Sequence, residues 1–293
     1  MDKPVILLTG KTGQVGWELQ RTLAGLGRVR AMDSNELNLA KPDVIRAVIA
    51  ETKPNIIVNA AAYTAVDQAE SEPDVAMAIN SVAPGIFAEE AKKINAVLVH
   101  YSTDYVFDGN KSSPYLETDA PAPVNIYGQS KLEGERAIAA VDGCYLTIRT
   151  SWVYGARGKN FLLTMLRLAK ERTELKIVDD QIGAPTWSRM IAEATALMLA
   201  KGLGALADYK GLYHLSAAGK TSWHGFALRI LENAKLLPPH TGLQVIPINT
   251  SAYPTPAKRP KNSLLNNAKL TRAFGLALPD WQDALDLCMD QGS

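Results

Sequence analysis

Short apolar runs alternate with amphipathic segments along the first half of the chain. Runs of this length, bounded by polar or glycine residues, are typical of buried strands. They predict strands over 5–9, 29–32, 56–58, 96–102 and 145–150. Between the runs, apolar residues recur every three or four positions, as Val15, Leu19 and Leu23 do. This spacing predicts helices over 13–24, 43–52, 73–95 and 124–140.

The alternation of strand and helix predicts the fold class. We expect an α/β protein with a Rossmann-type, doubly wound parallel sheet and helices on both faces. Ligands of such sheets bind at the carboxyl ends of the strands. Residues that follow the predicted strands are therefore the first candidates for a site.

The pattern loosens after Trp152. A helix over 160–172, a strand over 175–178 and a last helix over 281–289 are still predicted, while 211–216 and 221–236 mix short elements with loops. Three prolines make 251–261 an extended loop. We expect a first domain over 1–150 and a smaller C-terminal α/β domain over 151–293, with some later segments returning to the first sheet.

Composition and charge exclude several classes of protein. Of the 293 residues 47% are hydrophobic and 21% charged, as in packed globular proteins. The 31 Lys+Arg and 30 Asp+Glu give a net charge of +1, so we expect neither a nucleic-acid polymer nor a membrane as partner. Cys144 and Cys288 match no metal-ligand spacing and suit a reducing compartment. No apolar run is long enough for a secretory signal or a membrane span, and the expected location is the cytoplasm.

A glycine-rich turn lies between the first predicted strand and helix, Gly10-Lys11-Thr12-Gly13-Gln14-Val15-Gly16. Glycines there allow a backbone to approach a pyrophosphate, and the helix N-terminus offers free N–H groups, although they would also serve a plain strand–helix turn. Asp33 ends the second strand, where a carboxylate can accept hydrogen bonds from an adenine-side ribose and disfavours a 2′-phosphate. NAD(H) is thus the first expectation, while Lys11 and Arg30 could still tolerate NADP(H).

Two further motifs indicate carbonyl chemistry. Tyr127 and Lys131 lie at i and i+4 of a predicted helix, and an ammonium beside a phenol lowers the phenol's pKa and makes it a usable acid. Thr103 ends the fourth strand, where its hydroxyl could hydrogen-bond the substrate oxygen, while Ser102 points to the other face. The alternatives are an exposed Tyr–Lys pair and a Ser/Thr cap.

Together these motifs resemble the extended short-chain dehydrogenase/reductase superfamily, to about residue 155. Strings along almost the whole chain are similar to the dTDP-4-dehydrorhamnose reductase family. They are GKTGQVGWEL from Gly10, VNAAAYTAVDQAE from Val58, HYSTDYVFDG from His100, RTSWVYG from Arg149, DQIGAPT from Asp180 and AYPTPAKRPKNS from Ala252.

The resemblance implies reduction of the 4-keto group of dTDP-4-dehydro-6-deoxy-L-mannose to dTDP-L-rhamnose, with hydride from NADPH or NADH to carbon 4 of the sugar. Tyr127 would be the proton donor. Lys131 would hold the nicotinamide ribose and tune Tyr127, and Thr103 would orient the keto oxygen. The first domain would bind the dinucleotide, and the second mainly the sugar nucleotide.

Further contacts are implied by the same resemblance. Cofactor contacts are the pyrophosphate turn of Gly10, Thr12, Gly13, Gln14 and Val15, the ribose contact Asp33, the adenine contacts Asn38 and Leu39, and the bordering Ala62, Tyr63, Thr64 and Tyr101. Substrate contacts are Thr103, Asp104, Trp152 and Arg259. Trp152 could instead pack between the two parts of the chain, and Arg259 could be a solvated surface residue rather than a diphosphate contact.

The chain departs from the family at two places. Asn38 replaces the usual acidic residue before the adenine contact, which weakens the inference of NADH preference. Some members dimerise through a magnesium ion held by glutamates. Glu18 matches one of these, but Arg189 stands in place of a second, and the tail over 290–293 lacks a third. A cation would repel the metal, so we expect a monomer, or a homodimer without bridging magnesium.

Three alternatives remain at this point. The first is a sugar-nucleotide 4,6-dehydratase or 4-epimerase; dehydratases commonly have an Asp-Glu pair after the threonine, where this chain has Asp104-Tyr105. The second is a 4-ketoreductase of another dTDP-sugar. The third is a non-catalytic regulatory subunit on the same fold, like that of methionine adenosyltransferase, which would not need Thr103, Tyr127 and Lys131.

Overall fold

The computed structural model describes residues 3–239 and 241–290. Within them the strands, in chain order, are β1 Val5–Thr9, β2 Arg28–Met32, β3 Ile56–Asn59, β4 Val97–Thr103, β5 Tyr145–Thr150, β6 Val153–Tyr154, β7 Glu174–Val178, β8 Ile182–Gly183, β9 Thr186–Trp187, β10 Gly211–His214, β11 Thr221–Ser222 and β12 Gln244–Ile248. The helices are α1 Gln14–Thr22, α2 Pro42–Thr52, α3 Val66–Ala69, α4 Pro73–Met77, α5 Ala83–Lys93, α6 Ile126–Val141, α7 Phe161–Glu171, α8 Ser188–Leu199, α9 Trp223–Asn233, α10 Ala268–Phe274 and α11 Trp281–Asp290.

Six strands form one parallel sheet in the order β10-β5-β4-β3-β1-β2. The chain runs outward from β1 to β2, then crosses back to β3 on the other side of β1. The order therefore reverses at β1 and β3, which opens a crevice at their carboxyl ends. The predicted α/β class with a doubly wound parallel sheet is confirmed, and the five predicted strands are β1 to β5.

Both faces of the sheet are covered by helices. On one face α1, α8 and α10 bury Leu19, Ile191 and Leu270 in a common core. On the other, α2, α5 and α6 do the same with Ile45, Phe87 and Ile138. Segments from both halves of the chain thus share the first core, and β10 extends the sheet beside β5.

Helix α8 was not predicted from the sequence. Its buried residues, among them Ala192, Thr195 and Met198, lie on one face, but the apolar Leu197 lies on the opposite side and is 56% exposed. Because apolar residues surround the helix, the sequence shows no single apolar stripe. The stretch predicted as one helix over 73–95 is broken by a π-helical turn, Ala78–Val82. The cause is Pro84, which has no N–H to donate to the carbonyl of Asn80.

A second core lies in the C-terminal half. Helices α7, α9 and α11 pack around the parallel pair β7–β12, with Met165, Phe226 and Leu285 buried among them. None of the described helices is long and apolar enough to cross a membrane. The end of the tail, 291–293, where no glutamate was found to match the family's third, lies outside the described residues.

Candidate active site

A cleft of about 550 Å³ lies at the carboxyl ends of β1 to β4. The predicted residues that line it are Gly10, Thr12, Gly13, Gln14, Val15, Asp33, Asn38, Leu39, Ala62, Thr64, Tyr101, Tyr127 and Lys131. Tyr63 is not brought to it, because its hydroxyl donates to Glu72 (2.7 Å). The sequence reasoning missed three lining residues: Ile79 of the π-helical turn, Val153 of β6 within the RTSWVYG string, and Lys159 of the loop before α7.

The glycine-rich turn fits a pyrophosphate. Gly10 has φ of 72°, and a Cβ on Gly16 would lie 2.0 Å from the Gly10 carbonyl oxygen, so neither position accepts a side chain without rearrangement. Helix α1 starts after Gly13 with no side-chain cap. The N–H groups of its first turn are left for a ligand at the positive end of the helix.

A cluster of charges lies at the end of β2. Lys11 forms ion pairs with Glu36 and with Asp33, 3.4 Å from its Oδ2. A hydrogen bond from the N–H of Asn35 lowers the pKa of Asp33, with smaller help from Lys11. The carboxylate needed for a ribose contact is thus ionised, and Lys11 offsets the charge that would repel a 2′-phosphate. The cluster fits either dinucleotide.

Tyr127 lies in the first turn of α6. That helix begins at Asn125, whose side chain accepts from the N–H of Gly128 (2.7 Å). Gly128 packs so closely on the 3₁₀ turn that follows β4 that a Cβ would lie 2.1 Å from the Tyr105 carbonyl oxygen. This contact anchors the phenol beside the end of β4, where its ring meets that of Tyr105 edge-on at 5.7 Å.

The expected lowering of the Tyr127 pKa is wrong for this structure. Burial raises it to about 12, although a hydrogen bond with Thr103 opposes the rise. Lys131 does not reverse this effect, because its hydrogen bonds go to the carbonyl of Tyr101 (2.6 Å) and the ring of His100 (3.3 Å). Burial also lowers the pKa of Lys131 to about 8, against the opposing charge of Glu135.

Thr103 is the last residue of β4 and Asp104 follows it, and both side chains are buried. The Thr103 hydroxyl donates to Asp104 (3.0 Å) and accepts from the N–H of Tyr105 (3.2 Å), so it does cap the turn. Burial raises the pKa of Asp104 to about 7, while hydrogen bonds with Ser263 and Thr103 oppose the rise. Asp104 is therefore a carboxyl group that changes its charge near neutral pH.

Trp152 and Arg259 lie further out, and each has a partner in the protein. The Trp152 indole stacks on that of Trp223, which the sequence reasoning did not identify, and its N–H donates to Ser263 (3.0 Å). Arg259 donates to both carboxylate oxygens of Asp67 (2.8 and 3.1 Å). It is thus not a solvated surface arginine.

A second cavity, of about 380 Å³, borders Arg259. Its walls are largely apolar and aromatic, and they include Phe161, Trp223 and Tyr253. Arg172 and Lys176 add two more cations to its lining. An aromatic wall beside positive charge suits a ligand that joins a flat base to an anion.

The parallel sheet, the glycine turn and the Tyr127–Lys131 pair define a Rossmann-type oxidoreductase of the short-chain dehydrogenase/reductase class. A family model described as the RmlD substrate binding domain matches residues 4–293. The chain belongs to this family, and its similar relatives are dTDP-4-dehydrorhamnose reductases. It is 53% identical to that of Burkholderia thailandensis, with 97% of each chain covered, and 49% identical to that of Escherichia coli K12, with 94% of each covered.

Solved structures agree with this assignment. The dTDP-4-dehydrorhamnose reductase of Bacillus anthracis in complex with NADP superposes with a TM-score of 0.89, at 36% identity over 99% of each chain. The UDP-glucose 4-epimerase of Thermus thermophilus in complex with NAD has a TM-score of 0.81 at 19% identity, covering 98% of each chain. At that identity the likeness to the epimerase shows only a shared fold.

Proposed function

We propose that this protein is an NAD(P)H-dependent dTDP-4-dehydrorhamnose reductase, which converts dTDP-4-dehydro-6-deoxy-L-mannose to dTDP-L-rhamnose. The observation that carries the proposal is the meeting of Tyr127 and Lys131 from α6 with the end of β4 at one dinucleotide-sized cleft. The reductase names of its relatives support the same reaction.

When bound, the reduced cofactor supplies the hydride that adds to carbon 4 of the sugar. Tyr127 gives its phenolic proton to the keto oxygen as that oxygen becomes a hydroxyl. Thr103, which opposes the rise in the pKa of Tyr127, would orient the keto oxygen toward the phenol. Lys131 would hold the nicotinamide ribose, and the positive charge of its ammonium form would stabilise the phenolate that Tyr127 leaves behind. Burial of these groups keeps water away from the reacting oxygen.

The second cavity is the proposed place of the substrate nucleotide. Arg259 would bind the diphosphate, and the aromatic wall with Trp223 would face the thymine or the sugar. Trp152 stacks on Trp223 and would therefore hold that indole in place in the same wall. Since the cavity is built from residues after 151, this part of the chain serves mainly the sugar nucleotide, while the first 150 residues serve the dinucleotide.

The proposed assembly uses no magnesium bridge. Arg189 Nε lies 3.4 Å from the Glu18 carboxylate, so a protein cation already neutralises the glutamate that would face the metal. We propose a cytoplasmic monomer, or a homodimer formed without metal. Chelator-sensitive dimerisation in analytical ultracentrifugation would contradict this.

Product identification tests the reaction. Purified protein is incubated with the 4-keto sugar nucleotide and NADPH or NADH, while cofactor absorbance and sugar NMR are followed together. A reductase consumes one cofactor for each sugar converted, and the product is dTDP-L-rhamnose. Turnover without net cofactor consumption would indicate an epimerase instead, and a different configuration at carbon 4 would indicate a reductase of another dTDP-sugar.

A further inference from the structure

A chain of buried polar side chains runs through the sheet beneath the cofactor cleft. It joins Thr9 on β1, Asn59 on β3, His100 on β4 and Lys131 on α6, each with an exposed fraction of 1% or 2%. Buried polar groups are costly unless they are hydrogen-bonded. Three of these four residues have no part in the mechanism described above, and their arrangement therefore needs another explanation.

A backbone N–H group sets the direction of these hydrogen bonds. The N–H of Ala61 donates to Thr9 Oγ1 (3.1 Å), so the threonine hydrogen is free to point elsewhere. It points to Asn59 Oδ1, 2.7 Å away. The amide of Asn59 is thereby fixed with its oxygen toward Thr9 and its NH₂ toward His100.

This orientation decides which nitrogen of His100 carries a proton. Asn59 Nδ2 donates to His100 Nδ1 (3.1 Å), which must accept. Burial, together with the charge of Lys131, holds the pKa of His100 well below its usual value, so the ring is neutral. A neutral imidazole carries one N–H. It is therefore on Nε2, which lies 3.3 Å from Lys131 Nζ.

An N–H in that position suits only one form of the lysine. An ammonium group has donors and no lone pair, whereas an uncharged amine can accept a hydrogen bond. The carbonyl of Tyr101 takes one N–H of Lys131 in either form (2.6 Å). When the lysine is neutral, every hydrogen bond in the series therefore points the same way, from the donating N–H of Ala61 to the accepting carbonyl of Tyr101.

We propose that His100 is a positioning residue of this reductase: Asn59 and Thr9 fix its ring so that Nε2–H faces Lys131 and loosens the hold of the lysine on its proton. The role in turnover rests on the proposed function. After Tyr127 has given its proton to the keto oxygen, an N–H bond of the ammonium breaks, water in the cleft carries that proton to the phenolate, and the phenolic O–H forms again. The neutral amine then accepts the Nε2–H until solvent returns its proton through the cleft.

Other charged groups near the lysine are accounted for. Glu135, one turn along α6, raises the pKa of Lys131, but Arg149 of β5 holds that carboxylate by two hydrogen bonds (2.8 and 2.6 Å). The phenol of Tyr127 lies on the same helix, and the phenol of Tyr101 on β4 is hydrogen-bonded to Thr195 of α8 (2.7 Å). The ring of His100 is the group whose proton position is set by other strands.

The substitution Asn59→Asp should reverse the direction of the hydrogen bonds between residue 59, His100 and Lys131, because Asp has nearly the same size and shape as Asn. A carboxylate accepts where the amide NH₂ donated, so the ring proton moves to Nδ1 and Nε2 becomes an acceptor for the ammonium. Imidazole ¹⁵N NMR of the free protein, assigned with His100→Gln, should show the proton on Nε2 in the wild type and on Nδ1 in Asn59→Asp. A wild-type ring that is charged, or protonated on Nδ1, would overturn the proposal.

The lysine provides the second readout. Its titration in the free protein, followed by side-chain NMR and assigned with Lys131→Met, should move upward by about one pH unit in Asn59→Asp. The alkaline limb of the pH–rate profile should move with it. The proposal fails if neither moves, or if Asn59→Asp causes the same shift in a His100→Gln background, since the added charge would then act directly.

The experiments distinguish failure of the His100 proposal from failure of the reductase function and from misfolding of a variant. If the free protein shows both NMR results but does not turn over the keto sugar, the proposed reductase function fails and the effect of His100 on Lys131 stands. If Asn59→Asp does not fold, Thr9→Val is the second variant, because it frees the Asn59 amide to rotate without adding charge. It should place part of the ring proton on Nδ1 and shift the lysine titration in the same direction, by less than Asn59→Asp would; an unchanged ring and lysine would again overturn the proposal.

Discussion

Glu135 and Arg149 form a two-pronged ion pair behind the proposed catalytic helix. Arg149 Nε and Nη2 donate to the two carboxylate oxygens at 2.8 and 2.6 Å, and the exposed fractions of the two side chains are 8% and 2%. The Ser102 hydroxyl adds a third hydrogen bond to the carboxylate (2.5 Å). The pair joins α6 to the ends of β4 and β5, so it fixes the elements that carry Lys131 and Thr103.

Breaking this pair should be costly. Glu135→Gln leaves the Arg149 charge buried without compensation, and we expect a loss of about 3–5 kcal/mol in the free energy of unfolding. Denaturant unfolding measures it. The matched control is Glu171→Gln, which breaks an exposed ion pair with Arg167 and should cost less than about 0.5 kcal/mol. Equal losses in the two variants would contradict this account.

Asp104 should make stability depend on pH. Its pKa is raised in the folded protein to about 7, from an ordinary value of 3.8. Between these values the unfolded chain releases the proton and the folded protein keeps it, so this residue lowers stability as pH rises from about 4 to about 7. Asp104→Asn should be more stable than the wild type at pH 8 by about 1–3 kcal/mol, and nearly equal to it at pH 4. A constant difference across this range would be evidence against a raised pKa.

Lys11 should govern tolerance of the 2′-phosphate. Lys11→Met leaves Asp33 and Glu36 uncompensated beside the ribose position, and their charge repels a phosphate more than a hydroxyl. We expect the Kd for NADPH to rise about five- to tenfold more than the Kd for NADH, at low salt. Calorimetric titration with both cofactors measures this. Lys201→Met, which removes an exposed charge after α8, should leave the ratio unchanged; a proportional rise for both cofactors in Lys11→Met would refute the role.

Much of the dinucleotide half could be predicted because its signals are local. Strands β1 to β5 are short apolar runs, and the glycine turn follows the first of them directly. The spacing of Tyr127 and Lys131 depends only on the period of one helix. Each of these features depends on residues that are close together in the sequence, so each can be predicted from a short segment.

Other parts depend on residues that are distant in the chain. Trp152 stacks on Trp223 with ring centroids 3.6 Å apart, yet nothing in either segment indicates the other. The ion pair of Arg259 with Asp67 and the addition of β10 to the sheet are of the same kind. The prediction for the pKa of Tyr127 was wrong for a related reason. The spacing identifies Lys131 as a neighbour on the same helix, but burial by the rest of the fold raises the pKa.

The central claim is that Tyr127 donates the proton to the keto oxygen. Its most direct test is the rate of NADPH oxidation by Tyr127→Phe with the 4-keto sugar nucleotide, measured beside the Kd for NADPH. Tyr213→Phe is the control, since that hydroxyl lies in β10 and donates to the Tyr209 carbonyl (2.7 Å). We predict that Tyr127→Phe loses about 10²- to 10⁴-fold in rate while cofactor affinity and the control's turnover are retained. A Tyr127→Phe rate close to that of the wild type would contradict the account.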